Sequence, residues 1–248
     1  MSFLKLVVPF DRTFYNNLDI PSANSIVRNG LFKDNGLSKT DKLNCYSWSI
    51  PVSHCKTGSE LREVENTVCS GCNVNNRGHY GTRVVKNAME QRYGAWIEQE
   101  HWIEAITFLI RNTGYDLFRW FDSGDIQEEY MLLQFIKIAN MLPKKRFWIP
   151  TQEREMVSHI IKDGYEIPQN MTIRLSSTYI NGEPPTYLAK ELNSYPNVLG
   201  YIGTSRVLRT QQFNGYDGFI CPSTKQGNQC LSCTMCWEKV GDIPYKKK

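Results

Sequence analysis

Between residues 98 and 113 the apolar side chains Trp102, Ile103, Ile106, Leu109 and Ile110 recur at helical spacing and Gly114 follows as a stop, so the pattern predicts a helix. Residues 115–122 are short and aromatic, as a buried strand is, and end in the polar turn Asp122, Ser123, Gly124, Asp125. Asp125 with Glu128 three positions on reads as a capping box, and Tyr130, Leu133, Ile136 and Leu142 carry an apolar stripe until Pro143 ends it. A strand at 146–149 then runs into Pro150 and Thr151, an N-cap for a third helix whose face is Met156, Val157, Ile160 and Ile161 and whose stop is Gly164. Runs at 171–176 and 198–202 flank a short helix at 187–192, and 218–221 is a last candidate strand.

Strands alternating with helices of this length imply right-handed crossovers and a mainly parallel sheet. Five strand signals fall short of the eight in a complete barrel, so the expected class is α/β, a partial or open (β/α) barrel with mainly parallel strands. The chain reads as one domain in three parts. Residues 1–97 form an irregular N-terminal wrap rich in turn formers such as Asn29-Gly30, Asn35-Gly36 and Pro51. Residues 98–220 are the βα core, and 221–248 are a cysteine-rich tail closing in Lys246, Lys247 and Lys248, read as a solvated terminus.

With 41% apolar and 22% charged residues the 248-residue chain has the material for a core, which excludes a disordered or coiled-coil protein. Its 29 Lys and Arg against 25 Asp and Glu leave only +4. Basic runs such as Lys144-Lys145-Arg146 are short and not interleaved with aromatic residues, so nucleic-acid binding is not indicated. The best N-terminal apolar run, 3–10, is broken by Lys5 and Pro9, too short for a membrane span or an export signal. The expectation is a cytoplasmic protein whose partner is a small molecule or another protein, with no membrane.

Eight cysteines change the picture. They crowd into two groups, and in a chain with no visible export signal that spacing favours metal or cluster ligation over disulfides. Cys221-Pro222, then eight residues after Cys221, Cys230-x-x-Cys233-x-x-Cys236, is the strongest signal. A packed triple with a remote fourth cysteine followed by proline is the ligand order of bacterial-type 4Fe-4S sites. Zinc, which more often uses separated Cys-x-x-Cys pairs, is the alternative cofactor. In the second group thirteen residues separate Cys55 from Cys69-Ser70-Gly71-Cys72, with Cys45 upstream. Two layouts fit: Cys45 joins the other three in a four-cysteine site, or Cys55, Cys69 and Cys72 ligate alone and leave a position for water, substrate, His54 or His79. Pooling of both groups into one centre also fits the spacing.

Arg119, Asp122, Ser123 and Asp125 stand at the expected C-terminal end of a strand, where α/β folds present reactive groups. These are the candidate catalytic residues. The plainer alternatives are that Asp125 caps the next helix and that Asp122 pairs with Arg119. Thr151, Gln152 and Glu153 occupy the next strand end and Arg174, Ser176 and Ser177 the one after, so three polar strand ends would make a concave site.

Several stretches together resemble the phage "gene product 88" family: Gly36-Leu37-Ser38-Lys39, Trp48-Ser49-Ile50-Pro51 with Cys55, the run from Arg119 through the Asp122-Ser123-Gly124-Asp125 turn with Tyr130, Ile138-Ala139, Pro143, and Phe147-Trp148-Ile149-Pro150-Thr151. The resemblance spans about residues 36–237. It implies a bacteriophage protein with a barrel-like α/β domain and a metal or iron–sulfur centre, and says little about the reaction; the leading expectation is a 4Fe-4S protein of redox or radical-type activity working in the host cytoplasm. The architecture is also similar to the partial barrels of radical S-adenosylmethionine enzymes, but their Cys-x3-Cys-x2-Cys spacing does not occur here. The competing expectation is a zinc-stapled module that binds a host protein or nucleic acid.

Overall fold

The computed structural model describes residues 10–29, 36–39, 41–72, 74 and 78–247, except the side chains of 78 and 79. The apolar run before Phe10, the turn residues Gly30 and Asn35, the His79 side chain and Lys248 lie outside the described residues. In chain order the elements are α1 (Arg12–Asn16), α2 (Ile20–Val27), β1 (Ser38–Lys39), β2 (Tyr46–Trp48), α3 (Lys56–Arg62), α4 (Arg83–Glu98), α5 (Trp102–Arg111), β3 (Leu117–Trp120), α6 (Glu129–Met141), β4 (Arg146–Thr151), α7 (Arg154–Lys162), β5 (Met171–Ser176), α8 (Thr186–Asn193), β6 (Tyr201–Leu208), α9 (Thr210–Asn214) and β7 (Asp242–Lys246).

The seven strands lie side by side in sequence order, β1 antiparallel to β2 and every later pair parallel. With β1 and β7 as free edges the sheet is not closed, the open α/β arrangement that the strand–helix alternation predicts. Along β3, β4 and β5 the residues alternate between two environments. Phe118, Trp120, Phe147, Ile149, Ile173 and Leu175 enter the main core with α5, α6 and α7, where Trp120 stacks on Phe135 with ring centres 3.7 Å apart. Arg119, Trp148 and Arg174 stand between them and belong to the opposite face.

The segment before residue 98 is not an irregular wrap: it holds four helices and the first two strands. The signals that build it are local or hidden. The Asp19 carboxylate accepts the Ser22 N–H at 2.8 Å to start α2, whose Ala23 and Val27 are buried in the main core beside α5. The sixteen-residue α4 buries only Met89, Arg92 and Ala95, an apolar stripe too thin to read from sequence. Residues 218–221 form no strand; the last strand is β7, where Pro244 is tolerated because the strand is an edge and its carbonyl still accepts the Cys221 N–H at 3.0 Å. Among the described residues no helix is long and apolar enough to cross a membrane.

Candidate functional site

After α9 the chain folds back across the face of the sheet opposite the helices. Trp237 anchors it: the indole packs edge-on against Trp148 at 5.2 Å, its N–H donates to the Phe118 carbonyl at 2.9 Å, and its own carbonyl accepts from Thr172 Oγ1 at 2.9 Å. Phe118 and Thr172 belong to the first halves of their strands, so the segment sits over the strand starts. The Cys230 N–H reaches the Lys42 carbonyl at 2.8 Å, and the Cys233 N–H turns back to the Cys230 carbonyl at 2.8 Å. As a result Cys221, Cys230, Cys233 and Cys236 all line one hollow of about 20 Å3, walled by Phe219, Pro222, Met235, Trp237 and Ile243. Cys45, just ahead of β2, is buried with Leu43, Trp148 and Trp237 against Cys230 and Cys236. The structure thus places Cys45 with the C-terminal group and not with Cys55, Cys69 and Cys72.

Arg174 holds this segment in place. Fully buried, it does not face an open site but donates to six carbonyls, those of Thr204, Met235, Cys236, Glu238, Val240 and Gly241, at 2.9–3.3 Å. Gly203 makes room for it, since a Cβ there would stand 2.5 Å from the guanidinium. No carboxylate among the described residues forms an ion pair with Arg174. Burial lowers its pKa, and the nearest groups that oppose this are Tyr245 and Cys236.

Cys55, Cys69 and Cys72 lie at the other end of the strands. Cys55 immediately precedes α3, and the loop that returns from α3 is pinned to the chain after β5, Val68 N–H to Thr178 O at 2.9 Å and Ile180 N–H to Asn66 O at 2.8 Å. Inside the loop Thr67 Oγ1 donates to the carbonyls of Leu61 (2.5 Å) and Val64 (3.0 Å) and accepts the Ser70 N–H at 3.0 Å, which folds the chain so that Cys69 and Cys72 turn together. The sulfurs of Cys55 and Cys69 both stand 3.7 Å from the point a Cβ on Gly58 would occupy. His54 faces elsewhere, stacked on Tyr93 at 3.8 Å with Nε2 3.0 Å from Glu90.

The polar strand ends meet beside this group. Asp125 does not cap α6, which begins at Glu129; its buried carboxylate accepts from Thr151 Oγ1 (2.6 Å) and from the N–H groups of Gln152 (2.8 Å) and Ile126 (2.8 Å). Burial pushes its pKa up to about 7 against those donors. Likewise Thr151 does not cap α7, whose cap position is Glu153. The Glu153 carboxylate accepts the Thr57 N–H (3.0 Å) and Oγ1 (2.8 Å) in the first turn of α3. Ser123 Oγ donates to the Ile50 carbonyl at 2.9 Å, so it secures the turn rather than facing a ligand. Asp122 pairs with Arg119 and accepts the Tyr80 hydroxyl at 2.9 Å.

The family model for Gene product 88 matches residues 31–239. The chain belongs to the gene product 88 family. No curated protein and no solved structure matches it.

In this gene product 88 protein one residue of the first cysteine group, Cys72, and three of the second, Cys221, Cys230 and Cys236, line one cavity of about 440 Å3. Arg119, Asp122, Ser176, Ser205 and Tyr245 also line it. Of the four strand-end candidates, then, Arg119 and Asp122 reach the cavity, Asp125 lies buried by the thiols, and Ser123 is turned to the backbone. All eight cysteines are free. Burial pushes the thiols of Cys45 and Cys69 up to about 12 and of Cys236 to about 11, and raises Cys55 and Cys230 too, so as free thiols these are protonated and poor nucleophiles at neutral pH. Coordination to iron or zinc would deprotonate them outright. Among the described residues no three His, Cys, Asp or Glu side chains close on one point as ligands of a single ion do. Tyr245 escapes the sequence reading because β7 does; the strand's only signal is the alternation of Ile243 and Tyr245 around Pro244.

Proposed function

We propose that this protein is an iron–sulfur protein in which Cys221, Cys230, Cys233 and Cys236 hold a 4Fe-4S cluster, working on a small polar molecule in the half-barrel. The observation that carries the reading is that these four thiols border one hollow with hydrophobic walls, where Ser223 is the one other residue with a hydroxyl or charged side chain among the described lining residues. The donor set fits a cubane, which takes four thiolates on four different irons. The charge fits as well: Arg174 is a buried cation served only by carbonyls, a costly arrangement that an anionic thiolate centre at Cys236 offsets. Bound there, the cluster supplies one-electron redox chemistry. The chain's own part is to keep water out with Phe219, Met235 and Trp237, to fix the Cys236 turn through Arg174, and to donate to sulfur from Tyr245, 3.2 Å from Cys236.

Cys55, Cys69 and Cys72 are the residues for a second centre. Three thiolates leave an iron or zinc with a position to spare, and Cys72 borders the cavity. Membership of a phage family supports a place of work in the infected cell's cytoplasm.

The small size of the C-terminal hollow favours a second reading, a structural zinc in a host-binding module, because about 20 Å3 accommodates roughly one water-sized particle. An ultraviolet–visible spectrum of protein purified without oxygen, with iron, acid-labile sulfide and zinc measured on the same sample, separates the two. About four irons and four sulfides per chain, lost in Cys233→Ser but kept in Cys69→Ser, is the expected result, and about eight of each means that both groups are loaded. A colourless protein with stoichiometric zinc overturns the iron–sulfur reading.

A further inference from the structure

The cavity between the cysteine groups has the volume of a metabolite site, about 440 Å3, and its charge is one-sided. Lys42, Arg119, Arg206, Lys246 and Lys247 line it against a single acid, Asp122. Arg119 is paired with Asp122, and Arg206 with Asp242 and the exposed Glu183. Among the described residues no carboxylate pairs with Lys42, Lys246 or Lys247. Lys246 belongs to β7 and is half-buried, while Lys247 is tied by its N–H to the Leu208 carbonyl at 2.7 Å and keeps an exposed side chain. The Arg119 guanidinium carbon stands 4.5 Å from the centre of the Trp148 ring, and Nε is buried without a hydrogen-bond partner among the described residues. The hydroxyls of Ser176 and Ser205 stand 3.4 Å apart on the floor, while Ile180 and Val207 give an apolar wall.

Three ammonium groups without carboxylates exceed what one ligand carboxylate neutralises. They match a phosphate monoester, which is close to a dianion at neutral pH and accepts from lysine, guanidinium and hydroxyl donors alike. We propose that the cavity binds a phosphate-bearing small molecule, its phosphate drawn by Lys42, Lys246 and Arg119 and its organic body against Ile180 and Val207. The proposal deepens the iron–sulfur reading and rests on it for the ligand's role as substrate, since the ligand lies between the two cysteine groups. Binding itself depends only on the cavity.

The test is isothermal titration of the full-length protein, purified without oxygen, with adenosine 5′-monophosphate, adenosine, inorganic phosphate and benzoate. Iron and sulfide are measured on every sample. The expected result is saturable binding of the monophosphate, competed by inorganic phosphate, weakened by salt, and at least tenfold weaker in Lys42→Ala/Lys246→Ala protein of unchanged iron content and melting temperature. Lys246→Gln alone, which alters one side chain at the strand end, should show a smaller loss in the same direction. Absence of saturable binding at millimolar phosphate, equal binding of adenosine, preference for benzoate, or undiminished affinity in the double variant overturns the proposal. A full cluster with no phosphate binding sinks this inference alone, whereas phosphate binding to iron-free protein upholds it and sinks the iron–sulfur reading.

Discussion

The hydroxyl of Tyr245 lies 3.2 Å from Cys236 Sγ, a side-chain contact from β7 to the C-terminal cysteine group. Burial raises the Tyr245 pKa well above the ordinary phenol range, so the group keeps its proton and is the donor to any thiolate at Cys236. A hydrogen bond to a cluster sulfur stabilises the more negative, reduced state and raises the reduction potential. Tyr245→Phe is expected to bind the same amount of iron with a potential lowered by roughly 40 mV, the equivalent of about 1 kcal/mol for a one-electron couple. Potentiometric titration of both proteins reads this directly, and an unchanged potential would show that the phenol does not touch the redox centre.

Arg174 and Gly203 make one device, a buried fork that fastens residues 235–241 to the sheet. Removing the fork leaves carbonyls without donors, each a cost of about 1–3 kcal/mol where water cannot enter. Arg174→Met should lower unfolding stability by at least about 3 kcal/mol in a urea titration and should release metal from the C-terminal group before the sheet and its helices melt. Gly203→Ala, which pushes a methyl against the fork, should reproduce the metal loss at smaller cost, and the two substitutions together should cost less than their sum. Full additivity would separate the two residues.

A glycine inside a helix is unfavourable by about 1 kcal/mol relative to alanine, so Gly58 within α3 needs a reason. The Cys55 Cβ supplies it, 3.0 Å from where a Cβ on Gly58 would be, with the sulfurs of Cys55 and Cys69 at contact distance beside it, 3.7 Å away, where a larger side chain would press on them. Gly58→Val should leave the melting temperature within a few degrees while metal content attributable to Cys55, Cys69 and Cys72 falls by half or more. Element analysis in a Cys233→Ser background, where the other group is disabled, isolates that effect; undiminished content would mean that the thiols do not need this space.

The strand–helix alternation was legible because Trp120, Phe135, Ile149 and Ile160 each sit on one face of a regular element and meet in one core. The helices before residue 98 were not, since α4 presents almost no apolar stripe and α2 depends on packing in a core whose other members come much later. Cysteine spacing suggested two groups, but the side taken by Cys45 depends on Trp148 and Trp237 packing against it, which spacing does not encode. Arg174 read as a polar strand end because five of its six carbonyl partners lie 61 or more residues on, in a segment without periodicity. Asp125 read as a helix cap, and only the fold shows its carboxylate turned to Thr151 and Gln152 on the neighbouring strand.

The Arg119–Asp122 pair stands on the boundary between the 440 Å3 cavity and a second one of about 720 Å3 lined by β1 and α4, since both residues border each. Asp122 neutralises Arg119 and accepts the Tyr80 hydroxyl, and it is the acid a bound phosphate would have to tolerate. Asp122→Asn keeps the shape and an acceptor for Tyr80 but returns a positive charge to the cavity. Phosphate affinity should therefore rise several-fold, a gain of about 1 kcal/mol, and the rise should shrink as ionic strength is increased. Loss of the partly buried pair should cost about 1–3 kcal/mol of stability, measured by urea unfolding on the same preparation. Weaker phosphate binding in a stably folded Asp122→Asn protein would show instead that the carboxylate itself contacts the ligand, and would move Asp122 from the wall of the site into its working machinery.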